Sequence, residues 1–327
     1  MAHLVESGKI AGVLAHRGSH ARLRRVGGIL ISTILESENA NGKSGRNSKM
    51  IFDAPLFYGS NKAKEKTSRS IRFENADSQE HPSNEQLGRQ PWNELQLARE
   101  LQAEMLPAHP PLEAAWDLAA RCSAAQTVGG DFYDFFRYPG RAITAQALGD
   151  ASGKGASAAS YAALVAGILR SLAPLELRSA EMLWTLNQTL LKRPIRGRYV
   201  CMICATWDER DRVFRIANAG LPYPICVQNG QPFSLKASGL PVGLFESAEY
   251  EEHTVECGAG DMLVFYTDGI TEAVDHRNKD FGPDRLEKTI ATNAEETADH
   301  LVNSIFLAVA SHCDESNAFD DQTVIAV

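Results

Sequence analysis

Short apolar segments separated by turn signals fill much of the chain after residue 110. Segments such as "DMLVFYTDG" and "QTVIAV" are hydrophobic over a length typical of strands. Asp-Glu-Arg-Asp, Asn-Gly and Gly-Ala-Gly sequences lie between such segments, which is the pattern of antiparallel meanders. The sequence therefore predicts β-strands within LEAAWDLAARC, RAITAQALGD, YVCMICATWDE, VFRIANAG, PICVQNG, DMLVFYTDG and QTVIAV.

Longer helical patterns are interposed between these strands. Residues 155–172 are small and apolar nearly all round, as expected of a helix buried against a sheet, and residues 181–191 are amphipathic. Asn293 is predicted to cap a further helix that has Glu296 at its third position. Long helices among mostly antiparallel strands predict an α+β layered domain. The predicted buried stripe of the last helix is Leu301, Val302, Ile305, Ala308 and Val309.

Order is predicted to begin with a helix over residues 92–106. Apolar side chains recur at helical spacing in WNELQLARELQAEMLP, and the pattern stops at Pro107. Residues 39–90 are rich in Asn, Ser, Lys, Gly, Glu and Gln and contain too few apolar side chains to form a core. We therefore predict a weakly ordered basic leader and linker over residues 1–90 and one folded domain over residues 91–327.

The helix predicted over residues 92–106 has an apolar face formed by Leu95, Ala98, Leu101 and Met105.

The distribution of charge argues against several functions. Residues 1–90 carry 14 Lys and Arg against 9 Asp and Glu, a net charge of +5, whereas residues 91–327 carry 19 against 32, a net charge of −13. An acidic domain is a poor nucleic-acid binder, and the basic segment lacks Trp. No apolar run reaches the roughly 18 residues of a membrane helix, and the N-terminus does not resemble a secretory signal. We expect a cytoplasmic protein that binds neither nucleic acid nor membrane.

The six cysteines are dispersed and give no disulfide or zinc pattern. Cys201 and Cys204 form the one Cys-x-x-Cys pair, but they lie in a predicted strand, where residues three apart point to opposite faces. We therefore expect buried, reduced thiols, in line with a reducing compartment.

The stretch LGDASGKGASAA, residues 148–159, raises the question of a phosphate-binding loop. A P-loop has four residues between its first Gly and its Gly-Lys pair, and a Ser or Thr follows the Lys. Here only three residues separate Gly149 from Gly153, and Gly155 follows Lys154 where the hydroxyl is required. A nucleotide-binding switch fails on this spacing, so Asp150 becomes the candidate functional residue.

Other acidic residues occupy similar positions at the ends of predicted strands. Asp131 follows Gly129-Gly130, Asp268 follows the strand DMLVFYT, and Asp320 and Asp321 precede QTVIAV. An Asp before Gly is more often a turn former than a ligand when taken alone. Carboxylates that converge on one edge of a β-core, however, supply the hard oxygen ligands that Mg²⁺ or Mn²⁺ requires. The combination predicts a divalent-cation site.

Motifs in a fixed order resemble the SpoIIE-type (RsbU-like) branch of the metal-dependent PPM protein phosphatases. The resemblance covers about residues 92–327 and implies an α-β-β-α sandwich, in which helices flank two antiparallel sheets. It also implies two divalent cations, Mn²⁺ or Mg²⁺, at one edge of the sandwich. The motifs are ELQLARELQAEMLP, VGGDFYDFF, GDASGKG, RYVCMICATWD with FRIANAGLPYPI, GLPVGL, GDMLVFYTDGITEA and FDDQTVIAV.

The resemblance assigns roles to individual residues. Ser152, Gly153 and Lys154 are expected near the substrate phosphate, although Lys154 fits a solvated lysine at a helix start equally well. Catalysis is expected to proceed through a water that the two ions share and activate as hydroxide. The implied metal ligands are the carboxylates of Asp131, Asp150, Asp268 and Asp320 and the backbone carbonyl of Ala151, with Asp321 as a less certain neighbour.

The chain departs from the family pattern at three positions. Ser152 stands where the wider PPM class has the His of DGHGG, as expected within this branch. Leu221 replaces the His of the common NAGH sequence, and Ala151 replaces the Val of DVSGKG. None of these changes removes an implied metal ligand. The change at Leu221 puts in doubt any polar contact that the usual His makes.

The implied activity is that of a protein-serine/threonine phosphatase acting on a phosphorylated bacterial signalling protein, a STAS-type anti-sigma-factor antagonist. The alternative is a catalytically silent phosphoprotein-binding module of the same fold, but all four carboxylates are present. Two roles remain open for helix 92–106. It either relays regulation by docking on the domain or on a second copy, as in a homodimer, or it only completes the core.

Overall fold

The computed structural model describes residues 20–26, 29–35, 90–107, 116–138, 141–313 and 320–327. The chain divides into two compact units, Met1–Ser83 and Asn84–Val327. In the first unit, strands β1 (His20–Val26) and β2 (Ile29–Leu35) form an antiparallel hairpin. Most of the predicted leader lies outside the described residues, so its weak order and the boundary at residue 90 stay predictions.

Ten strands in the described part of the second unit form two antiparallel sheets of five strands each. The first sheet has the order β10-β7-β6-β5-β4, and the second has the order β3-β12-β11-β8-β9. The first sheet contains β4 (Asp131–Arg137), β5 (Ile143–Ala151), β6 (Val200–Asp208), β7 (Val213–Ala219) and β10 (His253–Glu256). The second contains β3 (Ala119–Ser123), β8 (Ile225–Gln228), β9 (Gln231–Ser234), β11 (Met262–Tyr266) and β12 (Gln322–Ala326).

Helices cover the outer face of each sheet. Helices α2 and α3 pack against the first sheet around Ala147, Met202 and Cys204, and α5 and α6 pack against the second around Val264 and Val324. This arrangement confirms the predicted α-β-β-α sandwich. The described helices are α1 (Gln90–Met105), α2 (Gly155–Leu172), α3 (Ser179–Leu191), α4 (Asp268–Thr271), α5 (Gly282–Thr292) and α6 (Ala298–His312).

The strands form because their residues are apolar on both faces. Successive strand residues point to opposite sides, so Ala147 and Met202 face the helices while their neighbours Leu148 and Ile203 face the second sheet. All four side chains are buried. Burial on both faces explains why these strands are uniformly hydrophobic rather than alternating.

The prediction that no apolar run reaches the length of a membrane helix is wrong: the helical segment Gly155–Leu175, which contains α2, is long and apolar enough to cross a membrane by length and composition alone. Its buried residues, which include Ala158, Val165 and Leu169, recur along one face and pack on the first sheet. A helix in the core of a layered domain has the same composition, and α2 has that position here.

The prediction of buried thiols is confirmed for three cysteines and wrong for three. Buried are Cys201, Cys204 and Cys226, and half-buried are Cys122, Cys257 and Cys313.

The predicted cap of the last helix is wrong. Thr297 caps α6, because its hydroxyl accepts a hydrogen bond from the His300 N–H at 3.2 Å. Asn293 instead ends α5, where its side-chain amide donates to the Thr289 carbonyl at 2.8 Å. The sequence pattern does not predict α5, so it assigns Asn293 to the following helix.

Helix α1 is confirmed, but its predicted apolar face is only partly correct. Ala98 and Met105 are half-buried, whereas Leu95 and Leu101 are 37% and 55% exposed. The face that contacts the domain contains Gln102, which the sequence analysis left out. Polar contacts, and not only apolar spacing, therefore determine how α1 is rotated about its axis.

We expect Leu169→Ala to lower the free energy of unfolding by about 2–5 kcal/mol, because Leu169 is fully buried between α2 and the first sheet. Leu164→Ala, on the same helix but 44% exposed, is the matched control and should cost less than about 1 kcal/mol. Urea unfolding followed by circular dichroism measures both. Equal effects of the two substitutions would contradict the packing of α2.

Candidate metal centre

Strand register brings the predicted acidic residues to one edge of the sandwich. Asp131 begins β4 and lies opposite Asp150 near the end of β5. Asp268 lies two residues after β11 and begins α4, and Asp320 lies two residues before β12, which pairs with β11. The four carboxylates thus come from two adjacent strand ends in each sheet.

Asp131 ties the two sheets together at this edge. Its side chain is 2% exposed, and its Oδ2 atom accepts hydrogen bonds from the hydroxyls of Thr267 and Thr323 at 2.8 and 2.7 Å. Thr267 directly follows β11 and Thr323 lies in β12, both in the second sheet, whereas Asp131 belongs to the first. A buried carboxylate requires such donors, because an unpaired charge in the interior is strongly unfavourable.

The charge on Asp131 is only partly compensated. Burial raises the pKa of Asp131, and the nearby charges of Asp321 and Asp268 raise it further, while the two threonine hydrogen bonds oppose the shift. Like charges that face one another in a buried place favour a bound cation. The electrostatics of this edge therefore suit a divalent ion.

Asp321 holds the turn that precedes Asp131. Its two carboxylate oxygens accept hydrogen bonds from the N–H groups of Ala125 and Gly130, at 2.8 and 2.5 Å. A Cβ atom on Gly129 would collide with this carboxylate. Asp321 thus has a structural role in positioning the Gly-Gly turn, and this role is sufficient to explain its place in the motif.

Gly130 allows the backbone to approach the Ala151 carbonyl, which is the implied ligand. A Cβ atom on Gly130 would lie 2.5 Å from the Ala151 oxygen. The Ala151 N–H in turn donates to the Gly130 carbonyl at 3.1 Å. The position of the Ala151 oxygen therefore depends on the absence of a side chain at Gly130.

The loop after Asp150 is bound to the segment before β6. Ser152 donates its N–H to the Tyr199 carbonyl at 2.9 Å, and its hydroxyl accepts from the Tyr199 N–H at 3.0 Å. The Arg198 guanidinium donates to the Ser152 carbonyl and, at 2.9 Å, to the Ser157 hydroxyl. Gly153 has a φ of +107° and packs against this guanidinium. The glycine is needed both for the left-handed backbone and for the contact.

Lys154 reaches the site from the start of α2. Its Nζ lies 3.4 Å from an Asp320 carboxylate oxygen, and its side chain is 52% exposed. A half-exposed lysine in an ion pair with Asp320 is compatible with both roles left open for Lys154, a charge at the site and a solvated lysine at the helix start.

Helix α1 contacts the same turn through Gln102. The Gln102 amide donates to the Gly129 carbonyl at 2.7 Å and accepts from the Gly129 N–H at 3.1 Å. Arg170 of α2 holds the end of α1 by donating to the Met105 carbonyl, and it also pairs with Asp134 at 2.6 Å. A helix outside the sandwich is thus hydrogen-bonded to the residue two positions before Asp131.

Leu221 occupies the position at which the family pattern NAGH has a His. Its side chain is 3% exposed, and its N–H donates to the Asn218 side chain at 3.0 Å. The Asn218 amide also donates to the carbonyls of Leu221 and Ala237, at 2.9 and 3.0 Å. The loop is therefore held by Asn218 and does not depend on a polar side chain at position 221.

The donor chemistry fits a divalent cation, although the ligands do not form a complete coordination sphere. Among the residues that the structure describes, no three His, Cys, Asp or Glu side chains lie close enough together to bind one ion as they stand. Carboxylate and carbonyl oxygens are the ligands that Mg²⁺ and Mn²⁺ prefer, and the charge around Asp131 favours a cation. The assignment of individual ligands stays a prediction.

Sequence reasoning missed the residues that support the site: Thr267, Thr323, Gln102 and Arg198. Two of these residues could have been found from the sequence, because they lie next to predicted metal ligands. Thr267 directly precedes Asp268, and Thr323 lies two residues after Asp321, so both hydroxyls stand beside predicted ligands. Gln102 and Arg198 gave no signal of this kind, because each acts on a loop that is distant in sequence.

Comparisons with known proteins agree with this fold. The family model for Stage II sporulation protein E (SpoIIE) matches residues 141–327. Protein IcfG of Synechocystis sp. is 28% identical over 262 residues, which cover 72% of this chain but 41% of that protein. Phosphoserine phosphatase RsbU of Bacillus subtilis is 24% identical over 251 residues, covering 76% of this chain and 74% of RsbU.

Among solved structures, the SiaA-PP2C domain of Pseudomonas aeruginosa superimposes with a TM-score of 0.67 at 18% identity. The match covers 75% of this chain and 98% of that domain. The fold is thus that of PP2C-type, or PPM, protein phosphatase domains. The comparisons support the prediction of a protein phosphatase, while its metal dependence stays a prediction. Within that class, the chain belongs to the SpoIIE family.

We expect Gly130→Ala to weaken Mn²⁺ binding by about 10-fold or more, because the added Cβ displaces the Ala151 carbonyl. Isothermal titration calorimetry measures the affinity, and thermal unfolding checks that the variant is folded. Gly167→Ala is the matched control, since no atom lies within 4 Å of its added Cβ. A folded Gly130→Ala protein with wild-type Mn²⁺ affinity would remove the Ala151 carbonyl from the proposed ligands.

Proposed function

We propose that this chain is a metal-dependent protein-serine/threonine phosphatase. The observation that carries the proposal is the edge at which Asp131 and Asp150 of one sheet lie with Asp268 and Asp320 of the other. The related protein RsbU is a phosphoserine phosphatase, which supports the same reaction for this chain. The proposed ligands of two Mn²⁺ or Mg²⁺ ions are these four carboxylates and the carbonyl of Ala151.

Bound divalent cations would supply charge neutralisation for the phosphoryl oxygens and a water of lowered pKa. The side chains around them orient the reacting groups. Asp131 is fixed by two threonine hydroxyls, so its free oxygen has a defined direction. Lys154, beside Asp320, places a positive charge where phosphate oxygens are proposed to bind.

Ser152 is proposed to contact the phosphate as well. Its hydroxyl oxygen accepts a hydrogen bond from the Tyr199 N–H. The hydroxyl can therefore still donate its proton in a hydrogen bond to a phosphate oxygen. Arg198 holds the Ser152 carbonyl and thereby fixes the loop from Asp150 to Lys154. These contacts hold the loop in position to bind a tetrahedral phosphoryl group. The proposed reaction needs no nucleophilic side chain.

The proposed substrate is phosphoserine or phosphothreonine on a bacterial signalling protein. The family resemblance favours a STAS-type anti-sigma-factor antagonist, and with it a cytoplasmic location. The chain spans 41% of protein IcfG and 24% of the B. subtilis Stage II sporulation protein E that it matches, so the substrate is argued for this phosphatase unit alone.

We expect Asp150→Asn and Asp268→Asn each to lower the rate of p-nitrophenyl phosphate hydrolysis in saturating Mn²⁺ by roughly 100-fold or more. Asp211→Asn is the control, since Asp211 is 62% exposed and lies in the turn at the opposite end of β6 and β7. Circular-dichroism melts verify folding. Wild-type turnover in either folded site variant refutes the assignment, and an inactive wild-type protein favours the phosphoprotein-binding module.

We propose further that α1 pairs with α1 of a second copy. Its inner face is bound to the domain through Gln102 and Met105, while Leu97 is 57% exposed and Leu101, at the border of the groove between α1 and α2, is 55% exposed. Two exposed leucines one helical turn apart form the kind of apolar strip through which helices associate. A homodimer would cover them and place the contact one residue from Gln102.

The double substitution Leu97→Asp/Leu101→Asp should convert a dimer to a monomer, as measured by light scattering after size-exclusion chromatography. Because both side chains are exposed, the melting temperature of the domain should change by no more than about 2 °C. Leu307→Asp, on α6 and 66% exposed, is the control and should leave the mass unchanged. A monomeric wild-type protein rules the pairing out.

A further inference from the structure

A cluster of positive charge stands out on the otherwise acidic catalytic unit. The loop between α3 and β6, residues 192–198, has the sequence KRPIRGR and contains 4 of the 19 Lys and Arg in residues 91–327. That region has a net charge of −13. Lys192, Arg193 and Arg196 are exposed, and none of them has an ion pair in the described part of the chain. Within the described residues, these three charges thus form no ion pair that stabilises the fold.

The loop lies beside the candidate metal centre. Arg198 and Tyr199 hydrogen-bond to Ser152, and Val200 pairs with Ala151 across β5 and β6. The turn at residues 195–198, closed by the Arg198 N–H and the Ile195 carbonyl at 3.0 Å, leads directly into these contacts. The three exposed cations are therefore at the same edge of the first sheet as Asp150.

Exposed apolar side chains accompany these charges. Ile195 is 50% exposed, and Tyr223 and Phe245 are each 39% exposed. Tyr223 follows β7, which ends at the same edge, and Phe245 lies on a segment that pairs with Val200 through Val242 and is held by the Asn187 amide. Basic residues beside exposed apolar ones are typical of a protein-binding surface. We call Lys192, Arg193, Ile195, Arg196, Tyr223 and Phe245 the basic rim.

We propose that the basic rim docks the phosphoprotein substrate through acidic residues that flank its phosphorylated serine or threonine. This inference rests on the proposed function. A phosphate group carries nearly two negative charges, and the unit around the site is acidic, so an anionic partner is repelled everywhere except near a local positive cluster. The screening length is about 8 Å at physiological salt, so only charges close to the site act on the docked segment. The rim supplies them.

The test uses the full chain in EDTA, which prevents turnover, and two fluorescent phosphoserine peptides of equal length. One peptide has Asp and Glu around the phosphoserine, and the other has Lys and Arg. Fluorescence anisotropy should show binding of the acidic peptide roughly tenfold tighter than that of the basic one, with a preference that weakens as salt rises. Arg193→Glu/Arg196→Glu should weaken binding of the acidic peptide by about tenfold.

The matched control is Arg210→Glu/Lys288→Glu, which changes the net charge by the same amount at two exposed positions away from the rim. It should bind both peptides like the wild type. Equal binding of the two peptides, or equal loss in the two double variants, overturns the inference. Binding of phosphatidylserine vesicles but of neither peptide, lost in Arg193→Glu/Arg196→Glu, also overturns it and assigns the rim to a membrane surface.

Hydrolysis of p-nitrophenyl phosphate by the wild-type chain in Mn²⁺ is measured separately. Turnover without peptide discrimination overturns the docking inference and leaves the proposed function standing. No turnover of this small substrate overturns the proposed function and the docking inference with it.

Discussion

The buried carboxylate of Asp131 is the constraint on which the candidate metal centre depends. It stands in the first sheet, receives both of its threonine hydrogen bonds from the second, and has the acidic side chains of Asp321 and Asp268 nearby. Because removing these donors leaves a charged group unpaired in the interior, the two sheets have to meet at this edge at a fixed separation. Away from this edge the sheets pack through apolar side chains and through neutral contacts such as the hydrogen bond from the Gln228 side-chain amide to the Glu256 carbonyl at 2.8 Å. Such contacts tolerate small displacements better than a buried, charged hydrogen bond does.

Close backbone approach is the second feature of this edge. Gly129 and Gly130 make room for the Asp321 carboxylate and the Ala151 carbonyl, and a Cβ on Gly269 would collide with the Asp321 backbone oxygen. Gly129 and Gly269 thus allow Asp321 to approach the main chain closely, and Gly130 does the same for the Ala151 carbonyl. The geometry of the site is built from main chain as much as from side chains, which allows carbonyl oxygens as well as carboxylates to face a bound ion.

Much of this organisation was predictable from sequence, because the features concerned are local. The strands are short apolar runs bounded by turns, and Asp150 and Asp268 stand at the ends of such runs. The contacts that complete the site were not predictable, because Arg198 and Gln102 act on loops that lie far away along the chain. The Asn293 error has a different cause: Asn293 and Thr297 both have cap chemistry, and only the presence of α5 decides between them.

The paired hydrogen bonds between Gln102 and Gly129 also restrict how the length of this protein can vary. An α-helix turns by about 100° and rises by 1.5 Å with each residue. One residue inserted into α1 before Gln102 would therefore rotate the part of α1 before the insertion by more than a quarter turn around the helix axis, while the turn at Gly129 stayed unchanged. The residues of α1 before Gln102 thus keep a fixed rotational phase relative to this turn, and an insertion of seven residues, close to two full turns, preserves that phase far better than an insertion of one.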